Sequence, residues 1–88
     1  MKFETTKRFA KDVESLRDAD LLKRLADVLT EIGSQPTLSS VSNVKAMRAS
    51  RHHFRIRVGE YRLGCRLDGD TLILARSLNR KEIYRNFP

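Results

Sequence analysis

The stretch Phe54-Arg55-Ile56-Arg57-Val58-Gly59-Glu60-Tyr61-Arg62-Leu63-Gly64-Cys65-Arg66-Leu67 decides the fold. Basic and apolar residues alternate on both sides of Gly59-Glu60, and a strand sends successive side chains to opposite faces. Read as two strands, the stretch gathers Arg55, Arg57, Arg62 and Arg66 on one face and the apolar residues on the other. Gly59-Glu60 fits a two-residue type II′ hairpin, whose register sets Arg57 across from Arg62 and Arg55 across from Gly64. Like charges directly opposite one another destabilise a sheet, so a face that carries such a pair is read as one that meets an anion. Gly64 leaves a shallow place beside Arg55 for that anion. The choice of Arg over Lys points to phosphate, because a guanidinium fork matches phosphate oxygens bidentately.

Working outward, Asp68-Gly69 fits a type I′ turn into a third strand, Thr71 to Leu78, with Leu72 opposite Cys65 and Leu74 opposite Leu63. Upstream, a further strand is expected near Asn43 to Arg48, after a Ser, Pro, Thr and Gln-rich loop from Gly33 to Ser42. Met1 to about Thr5 reads as a short strand. Thr5 or Thr6 then caps a helix carrying Phe9, Val13 and Leu16 on one stripe. Asp18 or Asp20 caps a second helix with Leu21, Leu25, Val28, Leu29 and Ile32 on one face, stopped by Gly33 and Pro36. The tail, Arg80 to Arg85, reads as a turn or short helix returning along the sheet edge. The expectation is a single α+β domain over residues 1–88: a small, antiparallel-rich β-sheet with an N-terminal helical hairpin packed on one face.

All of the net charge of +7 lies in the second half. Residues 1–43 hold seven Lys/Arg and seven Asp/Glu, whereas residues 44–88 hold eleven against four. Charge gathered in this way implies an acidic partner, whether nucleic acid or an acidic protein segment. One cysteine excludes a disulfide framework and favours a reducing compartment; Cys65 falls on the apolar side of its strand as a small core residue. No run approaches the roughly 18 apolar residues of a membrane span, and the first residues lack an apolar signal core, so a cytoplasmic protein without a membrane partner is expected.

Metal ligands are poorly supplied: His52 and His53 are adjacent, point to opposite faces of a strand, and have no Cys, Asp or Glu near them in sequence. No Gly-rich phosphate loop or nucleophile elbow is present. No metal and no cofactor is called for. What remains, arginines with Tyr84 and two histidines, suits cleavage of RNA by its own 2′-hydroxyl. There the protein need only align the nucleophile, move a proton and neutralise the charge that develops. Arginines serve the last task and are poor bases. Tyr84 is the better proton acceptor where surrounding guanidiniums favour its phenolate. His53, which shares the arginine face by parity, is the runner-up base or acid.

Phe54 to Leu63 followed by Asn79-Arg80-Lys81-Glu82-Ile83-Tyr84-Arg85 resembles the RelE/ParE superfamily of type II toxins, with their Y-[RK]-[IV]-[RK]-x-G-x-Y-R segment and C-terminal H-R-x-x-[IV]-Y. The likeness extends through the helical hairpin and Val44-Lys45-Ala46-Met47. It implies a toxin neutralised by a cognate antitoxin with an acidic or amphipathic segment, in a higher-order complex. In the RelE branch it implies metal-independent cleavage of mRNA in the ribosomal A site. By position, Arg62 would stabilise the strained phosphate, Arg55 and Arg57 would hold RNA, Arg80 would aid the leaving 5′-oxygen, and Tyr84 would orient or deprotonate the 2′-hydroxyl. Lys45, Arg48, Arg51, His53, Arg66, Lys81 and Arg85 are expected to add RNA contacts. Asn79 stands where many relatives have a histidine, and Arg55 and Arg57 where the best-known RelE toxins have lysines, so the base and acid stay open. The alternatives are a ParE-like inhibitor of DNA gyrase, and a toxin-fold binding module without catalysis.

Overall fold

Side-chain caps start the two main helices. Thr6 Oγ1 accepts from Phe9 N at 3.1 Å and donates to Ala75 O at 2.9 Å, so it caps helix α1 (Lys7–Glu14) and ties it to the sheet. Asp18 accepts from the backbone N–H groups of Asp20 and Leu21 and starts helix α2 (Ala19–Ser34). The computed structural model describes residues 1–48 and 50–88. Gly33 does not stop α2, contrary to the sequence expectation; the helix runs through it to Ser34. Pro36 is the terminator, because its ring denies the preceding residue a helical conformation, and Gln35 is extended at φ −89°, ψ 148°. The following loop holds a 3₁₀ turn, Leu38–Ser40, and is pinned by buried Leu38 and Val41.

Five strands form one sheet in the order β1-β5-β4-β3-β2. These are β1 (Lys2–Thr5), β2 (Val44–Ala46), β3 (His53–Val58), β4 (Tyr61–Asp68) and β5 (Thr71–Asn79). β1 lies parallel to β5, and every other pair is antiparallel. β2 is shorter than the expected span, since Asn43 sits at φ 64° and breaks the extended run before Val44.

The β3–β4 hairpin has the register read from the sequence, with Arg57 across from Arg62 and Arg55 across from Gly64. Gly59 takes φ 59° at the first turn position, as a type II′ turn requires. The next hairpin differs. Its two-residue loop is Gly69-Asp70, with Asp68 paired to Thr71, so Leu72 faces Leu67 and Leu74 faces Cys65. A type I′ turn on Asp68-Gly69 would need positive φ at the aspartate as well; the observed turn asks it only of Gly69, at φ 61°. The partner shift is two residues, so apolar still meets apolar. An irregularity at Gly64/Cys65 then sets Leu63 opposite Ser77.

Both helices pack on one sheet face. Phe9, Leu16, Leu25 and Ile32 join Ile56, Val58, Leu63, Cys65, Leu72 and Leu74 in the main core. Asp12 of α1 accepts from Arg76 Nε at 2.8 Å, Arg76 Nη2 at 3.2 Å and Ser77 N at 2.9 Å, locking α1 to β5. A second cluster, Met47, Ile83 and Phe87 with Ala75 and Leu78, lies apart from this core. It brings the short helix α3 (Ile83–Asn86) over the sheet rather than along its edge, because Ile83 and Phe87 are both apolar and fully or nearly fully buried. Among the described residues, no helix is long and apolar enough to cross a membrane.

Candidate nucleic-acid interface

Period-2 alternation and the turn at Gly59 bring the arginines of β3 and β4 to one face. Arg55, Arg57 and Arg62 line a hollow of about 310 Å³ with Lys45, Asn43 and Val44. Lys45 enters because β2 pairs it with Arg55. Asn43 holds Arg57 from two sides: its backbone oxygen accepts from Arg57 N at 3.1 Å, and its Oδ1 accepts from Arg57 Nη2 at 3.3 Å. Arg62 Nη1 donates to Gly59 O at 3.0 Å and Tyr61 O at 2.9 Å, which fixes the guanidinium and leaves its other N–H groups free of those bonds. Partial burial, and then the neighbouring charges of Arg55, Arg57 and Arg80, hold Arg62 below the ordinary arginine value, while Glu60 acts in the opposite sense. An anion in the hollow would relieve that repulsion.

Arg80 comes to the same end of the sheet. Its Nε lies 3.0 Å from Glu60 Oε2, and its backbone N donates to Glu60 O at 2.9 Å. Tyr84 of α3 is 65% exposed, and Arg55 Cζ stands 5.6 Å from the centroid of its ring. Tyr84 therefore borders a second, larger groove of about 700 Å³, lined also by Lys45, Ala46, Met47, Arg48, Arg55, Phe87 and Pro88. Lys45 and Arg55 belong to both hollows and join them.

The other residues singled out in the sequence lie elsewhere. His53 pairs in register with Arg66; its ring meets that of Phe87 edge-on at 5.4 Å, and its Nδ1 is buried without a partner. Arg66 is 3.7 Å from Asp68. Arg51, Lys81 and Arg85 are exposed and line neither hollow.

Gly64 corrects an expectation. The space above it is not open to an anion, because the Phe87 ring fills it: a Cβ on Gly64 would lie 2.7 Å from Phe87 Cδ2 and Cγ. Only glycine lets the ring approach so closely. Phe87, Met47 and Asn43 were missed in the sequence reading. Their signals were a glycine in mid-strand among bulky neighbours, an aromatic residue four positions after Ile83, and an asparagine, which tolerates positive φ, just before a strand.

A sequence model of the family described as the ParE toxin of type II toxin-antitoxin system, parDE, matches residues 3–84. The chain is 35% identical to Toxin RelE3 of Methanocaldococcus jannaschii over 89 residues, covering 100% of both chains. Its fold is similar to that in the RelB-RelE antitoxin-toxin complex from Methanococcus jannaschii, with TM-score 0.80, 33% identity and 100% of both chains covered. The toxin-antitoxin complex RelBE2 of Mycobacterium tuberculosis shares the fold at TM-score 0.69 and 23% identity, over 90% of this chain and 96% of that one.

Proposed function

The chain belongs to the RelE/ParE superfamily and is a toxin of a type II toxin–antitoxin system, and from that premise we propose that it is an endoribonuclease that cleaves mRNA in the ribosomal A site. The observation that carries this reading is the hollow in which Arg55, Arg57 and Arg62 meet Lys45, opening at Arg55 onto the exposed Tyr84 ring. Three guanidiniums beside one small hollow repel one another until a phosphate lies among them.

In this mechanism the 2′-oxygen of the substrate attacks the adjacent phosphorus, the bond to the 5′-oxygen breaks, and a 2′,3′-cyclic phosphate forms. Tyr84 orients the 2′-hydroxyl or takes its proton. Arg62, held by Gly59 and Tyr61, donates to the non-bridging oxygens as their charge grows. Arg55, Arg57 and Lys45 hold the flanking phosphates, and Arg80 stabilises the departing 5′-oxygen, which takes up a proton from water. No metal is required in this scheme, since the guanidiniums supply the positive charge.

The partner is a cognate antitoxin with an acidic or amphipathic segment that covers this basic face. The solved RelB-RelE complex, to which the chain is similar over its whole length, supports that partner. The family model bears the ParE name, which favours a second reading as a DNA gyrase inhibitor on the same fold. Primer extension on mRNA in translating ribosomes separates the two. Cuts at A-site codons that vanish with Arg62→Ala and fall with Tyr84→Phe support the ribonuclease. Uncut message, from a folded protein that inhibits gyrase supercoiling, would overturn it.

A further inference from the structure

Asn43 stands one position before β2 at φ 64°, a conformation that few side-chain-bearing residues adopt. From there its backbone oxygen accepts from Arg57 N at 3.1 Å and its Oδ1 from Arg57 Nη2 at 3.3 Å, so one residue holds the arginine at its backbone and at its far end. Arg57 is exposed and stands between two hollows. One is the arginine hollow, which it shares with Arg55, Arg62 and Lys45. The other, of about 490 Å³, lies between α2 and the β3–β4 turn and holds two carboxylates, Asp27 and Glu60, beside Arg24. Asn43 lines both. Glu60 is already paired with Arg80, which leaves Asp27 to attract a loose guanidinium, yet among the described residues no ion pair engages Arg57 or Asp27.

The oxygens that hold the arginines of this hollow are neutral. Arg62 donates to the backbone oxygens of Gly59 and Tyr61, and Arg57 to the Asn43 amide, whereas Arg80, which does not line the hollow, is held by a carboxylate. A neutral acceptor orients a guanidinium and leaves its charge for the next anion; a carboxylate in the same place would cancel that charge. Resting on the ribonuclease reading above, we propose that Asn43 is a positioning residue for substrate phosphate, whose amide oxygen keeps the Arg57 fork turned to the arginine hollow and away from Asp27 without neutralising it.

Two substitutions separate holding from charge. Asn43→Gly keeps the positive φ and the backbone oxygen and removes only the side-chain acceptor. Asn43→Asp keeps an acceptor in the same place and adds a negative charge. Each full-length variant is titrated, by fluorescence anisotropy over a range of salt, with a 2′-O-methyl oligoribonucleotide, which lacks the attacking hydroxyl. Asn43→Gly is expected to bind about fivefold more weakly, the order of one exposed hydrogen bond, with an unchanged salt slope because every charge remains. Asn43→Asp is expected to bind about tenfold more weakly at low salt, with a slope shallower by about 0.7, one phosphate contact on a single strand. Its unfolding midpoint in urea is expected to rise, because the carboxylate eases the repulsion between Arg57 and Arg62. Binding and stability then move in opposite directions, which a merely structural asparagine does not produce. Asp27→Asn is expected to change affinity less than twofold alone and to restore Asn43→Gly to within twofold of the parent chain. Asn43→Gly that binds like the parent, or Asn43→Asp that keeps the parent's salt slope, overturns the role of Asn43 and leaves the ribonuclease standing wherever the parent chain still cuts message on translating ribosomes. A folded parent chain that neither binds the oligonucleotide nor cuts message overturns both.

Discussion

Replacing Gly64 with alanine adds one methyl group at the place where the two sides of the candidate site meet. The new carbon would sit 2.7 Å from Phe87 Cδ2 and Cγ and 3.0 Å from Cδ1, so the ring must retreat by about 1 Å to reach ordinary van der Waals contact. Gly64 lies in β4, at the middle of the sheet, and its backbone is not in the positive-φ region, so the methyl group clashes with the ring and not with its own strand. Overpacking of this kind costs about 1–3 kcal/mol, against which alanine gains roughly 0.5–1 kcal/mol over glycine inside a strand. A net loss of about 1–2 kcal/mol is expected in urea unfolding followed by circular dichroism. Phe87 caps the end of α3, its N–H donated to Ile83 O, and its ring lines the same groove as Tyr84, so a displaced ring also disturbs Tyr84 in its place beside Arg55. Cleavage is therefore expected to fall further than stability alone accounts for. The double-mutant cycle with Phe87→Ala isolates the contact: once the ring is gone, Gly64→Ala is expected to be neutral or slightly stabilising. Equal cost of Gly64→Ala with and without the Phe87 ring would refute the close approach as the reason for glycine here.

Asp12→Ala removes three accepted hydrogen bonds and leaves the largely covered Arg76 guanidinium without its counter-ion; a loss near the low end of roughly 3–5 kcal/mol is expected in urea unfolding, and an unchanged midpoint refutes the lock. Burial pushes the Cys65 thiol from 9.0 up to about 12, so the native protein keeps a proton there that the unfolded chain releases above pH 9. The unfolded state then binds fewer protons, and stability falls by about 1.4 kcal/mol per pH step over that window; Cys65→Ala is expected to flatten this alkaline slope, and parallel slopes refute it. Arg57→Gln relieves the cross-strand repulsion with Arg62 and is expected to raise stability by up to about 1 kcal/mol at low salt, less at high salt, while weakening RNA binding; a loss of stability at low salt counts against the repulsion.

What could be read in advance followed from local rules. Period-2 alternation fixed the arginine face, and the need for positive φ at Gly59 fixed the register that opposes Arg57 to Arg62. The caps at Thr6 and Asp18 were likewise within reach of a few residues of sequence. Failures arose where a competing local signal or a distant partner decided the outcome. Gly33 looked like a helix end, yet it packs inside α2, where a Cβ would meet only Phe3 at an ordinary 3.8 Å; Pro36 imposed the stop instead. Gly64 looked like a gap because its occupant comes from 23 positions later in the chain. Nothing near Asp12 in sequence announces Arg76, since the pair joins α1 to β5 across the fold.

The separation of the two apolar clusters bears on how such a site can work. The main core, between the helices and the inner sheet face, contains neither Ile83 nor Phe87, and the cluster that seats α3 rests on Met47, Ala75 and Leu78 instead. Loss of the smaller cluster therefore leaves the helix-side core intact, which is why Gly64→Ala can be asked to disturb Tyr84 without unfolding the sheet. The arginines gain nothing in stability from facing one another; their alignment costs the free protein a little at Arg57 and Arg62 and is relieved only by an anion. The helix-side core therefore sustains the fold, while the opposite face, freed from that task, can hold charges and an aromatic ring in an arrangement that suits a phosphate and its nucleoside.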